Sequence, residues 1–151
     1  MKIIVLAGGL STERDVSLSS AAGICRTLLE KGHDAFLLDV FMGLEHAPEN
    51  LEDVFTLPDH GLDIVKNIST EEPDLNAVKA SRPDQSDCFF GPNVIELCRL
   101  ADITFLGLHG GEGENGKLQA AFDLLGIKYT GPDSLGCAVA MHKGVAKQIP
   151  T

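Results

Sequence analysis

The chain has 151 residues, 44% of them apolar, and a formal net charge of −10. That length suffices for one compact domain with a substantial core, and sixteen glycines suit an α/β domain with several tight turns. The negative charge argues against nucleic acid or an anionic membrane as a partner, because both repel such a surface.

Lys2 to Ala7 reads as a short buried strand, continuous and β-branched at Ile3, Ile4 and Val5, stopped by Gly8-Gly9. This apolar run is too short for a signal peptide. A helix is expected from about Val16 or Ser17 to Lys31, with Leu18, Ala21, Ala22, Cys25, Leu28 and Leu29 on its apolar face. Gly32 then supplies a C-cap, with Lys31 well placed for the helix dipole. Asp34 to Val40 reads as a second strand, and this β-α-β opening implies a parallel sheet with a right-handed crossover.

Between Phe41 and Asn93 the periodicity weakens under five prolines, and 11 of the 22 acidic residues fall between Glu45 and Asp87. The segment reads as a solvated surface insertion, with Gly61–Ile68 and Asp87–Phe90 as possible strand or edge elements. Asn93 to Ala101 carries a helical apolar face (Val94, Leu97, Cys98, Leu100). A strand follows from Ile103 to Leu108, then His109 and four glycines within Gly110–Gly116. Leu118 to Leu125 again has helical spacing, Gly126 closes it, and Ile127–Thr130 forms a last short strand. After Gly131-Pro132, Ser134 to Ile149 reads as a helix.

Cys25, Cys88, Cys98 and Cys137 lack metal-ligand spacing, so structural zinc and a disulfide framework are disfavoured. Cys25, Cys98 and Cys137 are expected as buried thiols in a reducing compartment, and no segment approaches 18 apolar residues. A cytoplasmic location is the expectation.

Two turns carry the candidate chemistry. In open α/β sheets a ligand site forms at the carboxyl ends of strands. The first turn holds Gly8, Gly9, Ser11, Glu13, Arg14, Asp15 and Ser17. It lacks the G-x-G-x-x-G spacing of a dinucleotide site, and its acidity favours a cationic group such as an ammonium. Ordinary helix N-terminal acidity accounts for Glu13 and Asp15 equally well. The second turn, HGGEGENG, presents His109, Glu112 and Glu114 on a flexible backbone. Glu13 and His109, at the ends of two parallel strands, could converge on one ligand.

GGLSTERDVSLSSA, LHGGEGENGKLQAAFDLLGIKYTG and AVAMHK, in that order, resemble the N-terminal domain of the D-alanine–D-alanine ligase family. The likeness covers the chain except Phe41–Asn93, where such ligases vary in length. It implies an α/β, Rossmann-like three-layer open parallel sheet, the pre-ATP-grasp domain, over 1–140 with a variable insertion at 41–93. Residues 141–151 would begin the junction to ATP-grasp domains that the chain does not contain. By the resemblance, Glu13 anchors the ammonium of the first D-alanine and His109 orients that substrate in a network with Glu13. Ser17 supports the loop, and Lys143 reaches the nucleotide phosphates. Two positions depart from the family pattern, Asn115 within G-E-N-G and His142 within Met141-His142-Lys143.

The resemblance implies ATP and Mg2+ as cofactors, bound mainly outside this chain, and a homodimer as the assembly. It implies phosphorylation of the first D-alanine's carboxylate by ATP, then attack on the acyl phosphate by the amine of the second. The 151 residues alone are expected not to turn over. A D-serine or D-lactate ligase, or a stand-alone binding module of the same fold, are the alternatives.

Overall fold

The computed structural model describes residues 1–66, 73–82, 85, 88–108 and 117–130. Strands β1 (Lys2–Ala7), β2 (Asp34–Asp39), β3 (Ile103–Leu106) and β4 (Tyr129–Thr130) form one sheet in the order β2-β1-β3-β4. All pairs are parallel, with Val5 opposite both Leu37 and Phe105. Helices α1 (Arg14–Glu30), α2 (Leu75–Ser81), α3 (Val94–Leu100) and α4 (Lys117–Leu125) complete the fold, with 3-10 turns at Leu51–Thr56 and Leu62–Val65.

Alternation along the strands divides the core into two layers. Ile3, Val5 and Ala7 of β1, with Ala35 and Leu37 of β2, face α1 through Leu18, Ala21, Ala22 and Cys25. Ile4, Leu6, Phe36 and Leu38 face the other way, against Val94, Leu97 and Cys98 of α3 and Leu118 and Phe122 of α4. Because both faces are covered, the central strand is apolar throughout, as its unbroken sequence requires. The result is the three-layer open parallel sheet.

Element ends depart from the sequence reading by a few residues, each for a local reason. Helix α1 starts at Arg14, since the Arg14 amide already bonds the Ser11 carbonyl and the Ser17 amide bonds that of Glu13. Its end follows expectation: Gly32 sits at φ +88°, and the Gly32 and His33 amides bond the carbonyls of Leu29 and Leu28, a Schellman closure. Helix α4 closes in the same way on Gly126, which commits the Ile127 amide to Phe122 and delays β4 to Tyr129. Strand β3 ends at Leu106, because the Gly107 amide still bonds Leu6 while its carbonyl turns to Ser17.

Residues 41–93 are more than a solvated excursion. Val54 and Phe55 are buried in the α3/α4 layer, and Arg82 is 1% exposed. The Arg82 guanidinium lies 4.2 Å from the Phe41 ring centroid and donates to the carbonyls of Phe41 and Cys88. Phe89 and Phe90 do not form a strand. They are bends in a line of ring contacts from Phe41 through Phe89, Phe90 and Phe122 to Tyr129. The described part of Gly61–Ile68 is likewise not a strand: Leu62 and Val65 pack beside α1, and the His60 carbonyl accepts from the Leu37 amide on the outer edge of β2. That contact caps an edge which would otherwise be open for pairing. The two ends of the segment are fastened together, with the Leu44 amide on the Pro92 carbonyl and the Gly91 amide on that of Val40.

Candidate ligand site at the carboxyl ends of the strands

Strand order reverses between β1 and β3: the chain goes outward from β1 to β2, then returns to lay β3 on the other side of β1. In sheets of this class ligands bind at the carboxyl edge beside such a reversal, here at the residues that follow β1 and β3. Gly8 and Gly9 follow β1 directly, at φ +80° and +88°. A Cβ on Gly8 would come within 2.7 Å of the Asp39 carboxylate, so both backbone conformation and space require glycine.

Three side chains fix this turn. Ser17, fully buried, accepts from the Gly8 amide at 3.0 Å and donates to the Gly107 carbonyl at 2.8 Å. Its hydroxyl thus bridges the ends of β1 and β3. Asp39, 4% exposed at the end of β2, accepts from the amides of Gly9, Phe41 and Met42. Arg14, 8% exposed, places Nη2 2.6 Å from Asp39 Oδ2 and Nη1 2.7 Å from the Gly9 carbonyl. Both backbone polar groups of Gly9 are therefore held by one buried ion pair, whose charge-assisted bonds are stronger than neutral ones.

Glu13 precedes Arg14 at the N-cap of α1. Its side chain makes no capping bond, it is exposed, and among the described residues no hydrogen bond or ion pair reaches its carboxylate. Capping chemistry therefore does not account for it. The site presents a solvent-facing carboxylate on a turn whose backbone is pinned from beneath. Such a group can accept a charge-assisted hydrogen bond from a cation.

Glu13 and Ser17 are thus brought to one turn. His109, Glu112, Glu114 and Lys143, with Cys137 and the expected helix 134–149, lie outside the described residues. The sequence reading noted Arg14 within the turn without a partner and overlooked Asp39. The signal for Asp39 was available: a lone carboxylate closing an apolar strand, DAFLLD, whose last five residues are all buried, needs a partner at the sheet's carboxyl edge. Among the described residues no group of three or more His, Cys, Asp or Glu side chains could hold a metal ion. Burial pushes the Cys25 thiol up to about 11 and that of Cys98 to about 12.

A parallel sheet covered on both faces, with its strand order reversing beside β1 and glycines following that strand, defines a doubly wound α/β domain. The family model described as the D-ala D-ala ligase N-terminus matches residues 2–132. The chain belongs to that family. It is 47% identical over 151 residues to a D-alanine–D-alanine ligase of Lacticaseibacillus casei (strain BL23), covering 99% of this chain and 41% of the relative. A D-alanine–D-alanine ligase of Pediococcus pentosaceus is also 47% identical, over 152 residues, covering 99% and 42%. The chain therefore spans about two fifths of the length of these curated relatives. Among solved structures, the D-alanine–D-alanine ligase from Bacillus anthracis complexed with ATP has a TM-score of 0.50 at 22% identity, covering 98% of this chain and 35% of that one. At that identity the likeness bears on the fold alone.

Proposed function

We propose that this chain forms the first-substrate side of an ATP-dependent D-alanine–D-alanine ligase, with Glu13 as the anchor for the substrate ammonium. The observation that carries the reading is the exposed Glu13 carboxylate, unpartnered among the described residues, on a turn immobilised by Ser17, Arg14 and Asp39. It lies within a segment matched by the ligase family model. The relatives' names support D-alanine as the substrate, and the exposed Glu13 carboxylate supports recognition of its ammonium at the end of β1. In this reading His109 approaches the same substrate from the end of β3, Ser17 keeps the two strand ends at a fixed separation, and Lys143 contacts the nucleotide phosphates.

The reaction joins two D-alanines for peptidoglycan. ATP supplies the phosphoryl group that activates the first carboxylate, and the second amine displaces it. This chain's contribution is to hold the first substrate by its ammonium so that its carboxylate points away from β1 and is open to phosphorylation. In this reading ATP and magnesium are bound mainly by the ATP-grasp part of the ligase. A cytoplasmic location accords with the buried free thiols of Cys25 and Cys98, and a homodimer is the assembly expected of the whole enzyme.

The test is Glu13→Gln in the full-length enzyme. A lost charge-assisted contact is worth about 1.5–3 kcal/mol, so KM for the first D-alanine should rise ~10- to 100-fold. Unchanged kinetics at limiting D-alanine would refute the assignment.

A further inference from the structure

We infer that Asp39 is a positioning residue that governs the affinity of the site for an ammonium by keeping the Arg14 guanidinium away from Glu13. This rests on the reading of Glu13 as the substrate anchor.

A carboxylate that must receive a cation stands next in sequence to an arginine, the side chain best suited to neutralise it. In the structure it is not neutralised. Arg14 turns inward, where Nη2 meets Asp39 and Nη1 meets the Gly9 carbonyl, while Glu13 faces solvent. Of the groups directing Arg14 inward, Asp39 lies beneath the turn and the Gly9 carbonyl belongs to the turn itself. Among the described residues the other charged neighbour, Asp15, is 3.9 Å from Arg14 Nε, at the long end of ion-pair range. Asp39 is itself saturated: besides Arg14 it accepts three backbone amides, so its orientation is set by the chain at Gly9, Phe41 and Met42. An asparagine at 39 would keep an oxygen for those amides but could not balance the guanidinium. Arg14 would then have its nearest full negative charges on Asp15 and Glu13, both at the N-terminus of α1. A guanidinium there competes with the incoming ammonium for one carboxylate and adds a like charge against it.

The consequence is a particular kinetic pattern. Asp39→Asn should raise KM for the first D-alanine, with kcat changed much less, because the defect lies in capturing the ammonium rather than in the chemical steps. Removing the competitor should then undo the defect. A role of the pair in stability alone predicts losses that follow the melting temperature of each variant, with KM for the first D-alanine unchanged in any variant that folds.

The experiment compares wild type, D39N, R14Q, R14Q/D39N and E13Q in the full-length enzyme, with steady-state kinetics at limiting D-alanine and thermal melting of each variant. The expected result is a KM rise of at least ~10-fold in D39N, a smaller one in R14Q, and recovery of most of the loss in R14Q/D39N. A cooperatively melting D39N with unchanged KM would overturn the inference, as would a double variant no better than D39N. Should D39N fail to fold, R14Q and R14Q/D39N carry the test. Without the guanidinium the charge on Asp39 has no cation to hold, and asparagine keeps an oxygen for the three amides, so their KM values should agree within about threefold, and a tenfold difference would overturn the inference. If E13Q itself leaves KM unchanged, the anchor reading fails. If E13Q raises KM and D39N does not, only the role of Asp39 fails.

Discussion

Removing one oxygen atom, in Ser17→Ala, tests whether the turn after β1 is held as described. The Ser17 hydroxyl is fully buried and serves two strands, accepting from the Gly8 amide and donating to the Gly107 carbonyl. Alanine leaves both backbone groups without this partner, and a buried polar group left unsatisfied costs about 1–3 kcal/mol. Alanine in place of serine inside a helix returns about 0.5 kcal/mol. The net expectation for the two groups is a loss of about 1.5–5.5 kcal/mol. With a urea slope of about 2 kcal/mol/M, the midpoint followed by circular dichroism should fall by about 0.8–2.8 M. Hydrogen exchange supplies the local readout: protection of the Gly8 amide should drop more than that of Ile4 or Val5. A midpoint shift below about 0.25 M, with Gly8 protected as before, would refute the reasoning.

Other expectations concern the periphery and the thiols. Gly91→Ala would place a Cβ 2.3 Å from the Phe41 carbonyl oxygen, backbone that cannot step aside, so a loss of at least 1–3 kcal/mol is expected in the same urea assay. Of the three described cysteines Cys88 is exposed while Cys25 and Cys98 are buried. An aromatic disulfide reagent at pH 8 should therefore modify Cys88 first, with peptide mapping showing Cys25 and Cys98 protected until urea unfolds the chain. The Cys25 thiol titrates from an ordinary 9.0 to about 11 on burial. The unfolded chain thus releases that proton first, so the contribution of Cys25 to stability is intact below pH 9 and is lost between pH 9 and about 11. Urea midpoints at pH 8 and 10 should show this fall, to which the buried Cys98 adds, and Cys25→Ala should reduce it.

The sheet was legible because its signals are local. Ile3–Ala7 is a continuous apolar run that both core layers demand, and Gly32 and Gly126 mark helix ends by the one conformation they share. The periphery was not. Val54 and Phe55 sit among exposed Glu52, Asp53 and Thr56, and a 3-10 turn of six residues is too short to show a period. Arg82 lies in a proline- and aspartate-rich stretch that reads as solvated, yet it is buried by contacts with Phe41, 41 positions away. The turn itself was half legible. Glu13 and Ser17 were recognisable from the motif they occupy, but the partner of Arg14 stands 25 positions further on, a distance that only the parallel pairing of β1 with β2 closes.

The fastening at the base of residues 41–93 has a consequence for how this fold can vary. Gly43 and Gly91 lie so close that a Cβ on either would strike the opposing backbone, and the chain leaves and re-enters the sheet at one clasp. Between the parts of the segment that pack on the sheet, length can change at little cost, since doubling a loop adds only about 0.6 kcal/mol of closure entropy. The sheet does register a loss of Val54, Phe55 or Arg82, which are buried, or of His60, whose carbonyl caps the edge of β2. Insertions and deletions should therefore collect between these anchors and avoid both them and the two glycines.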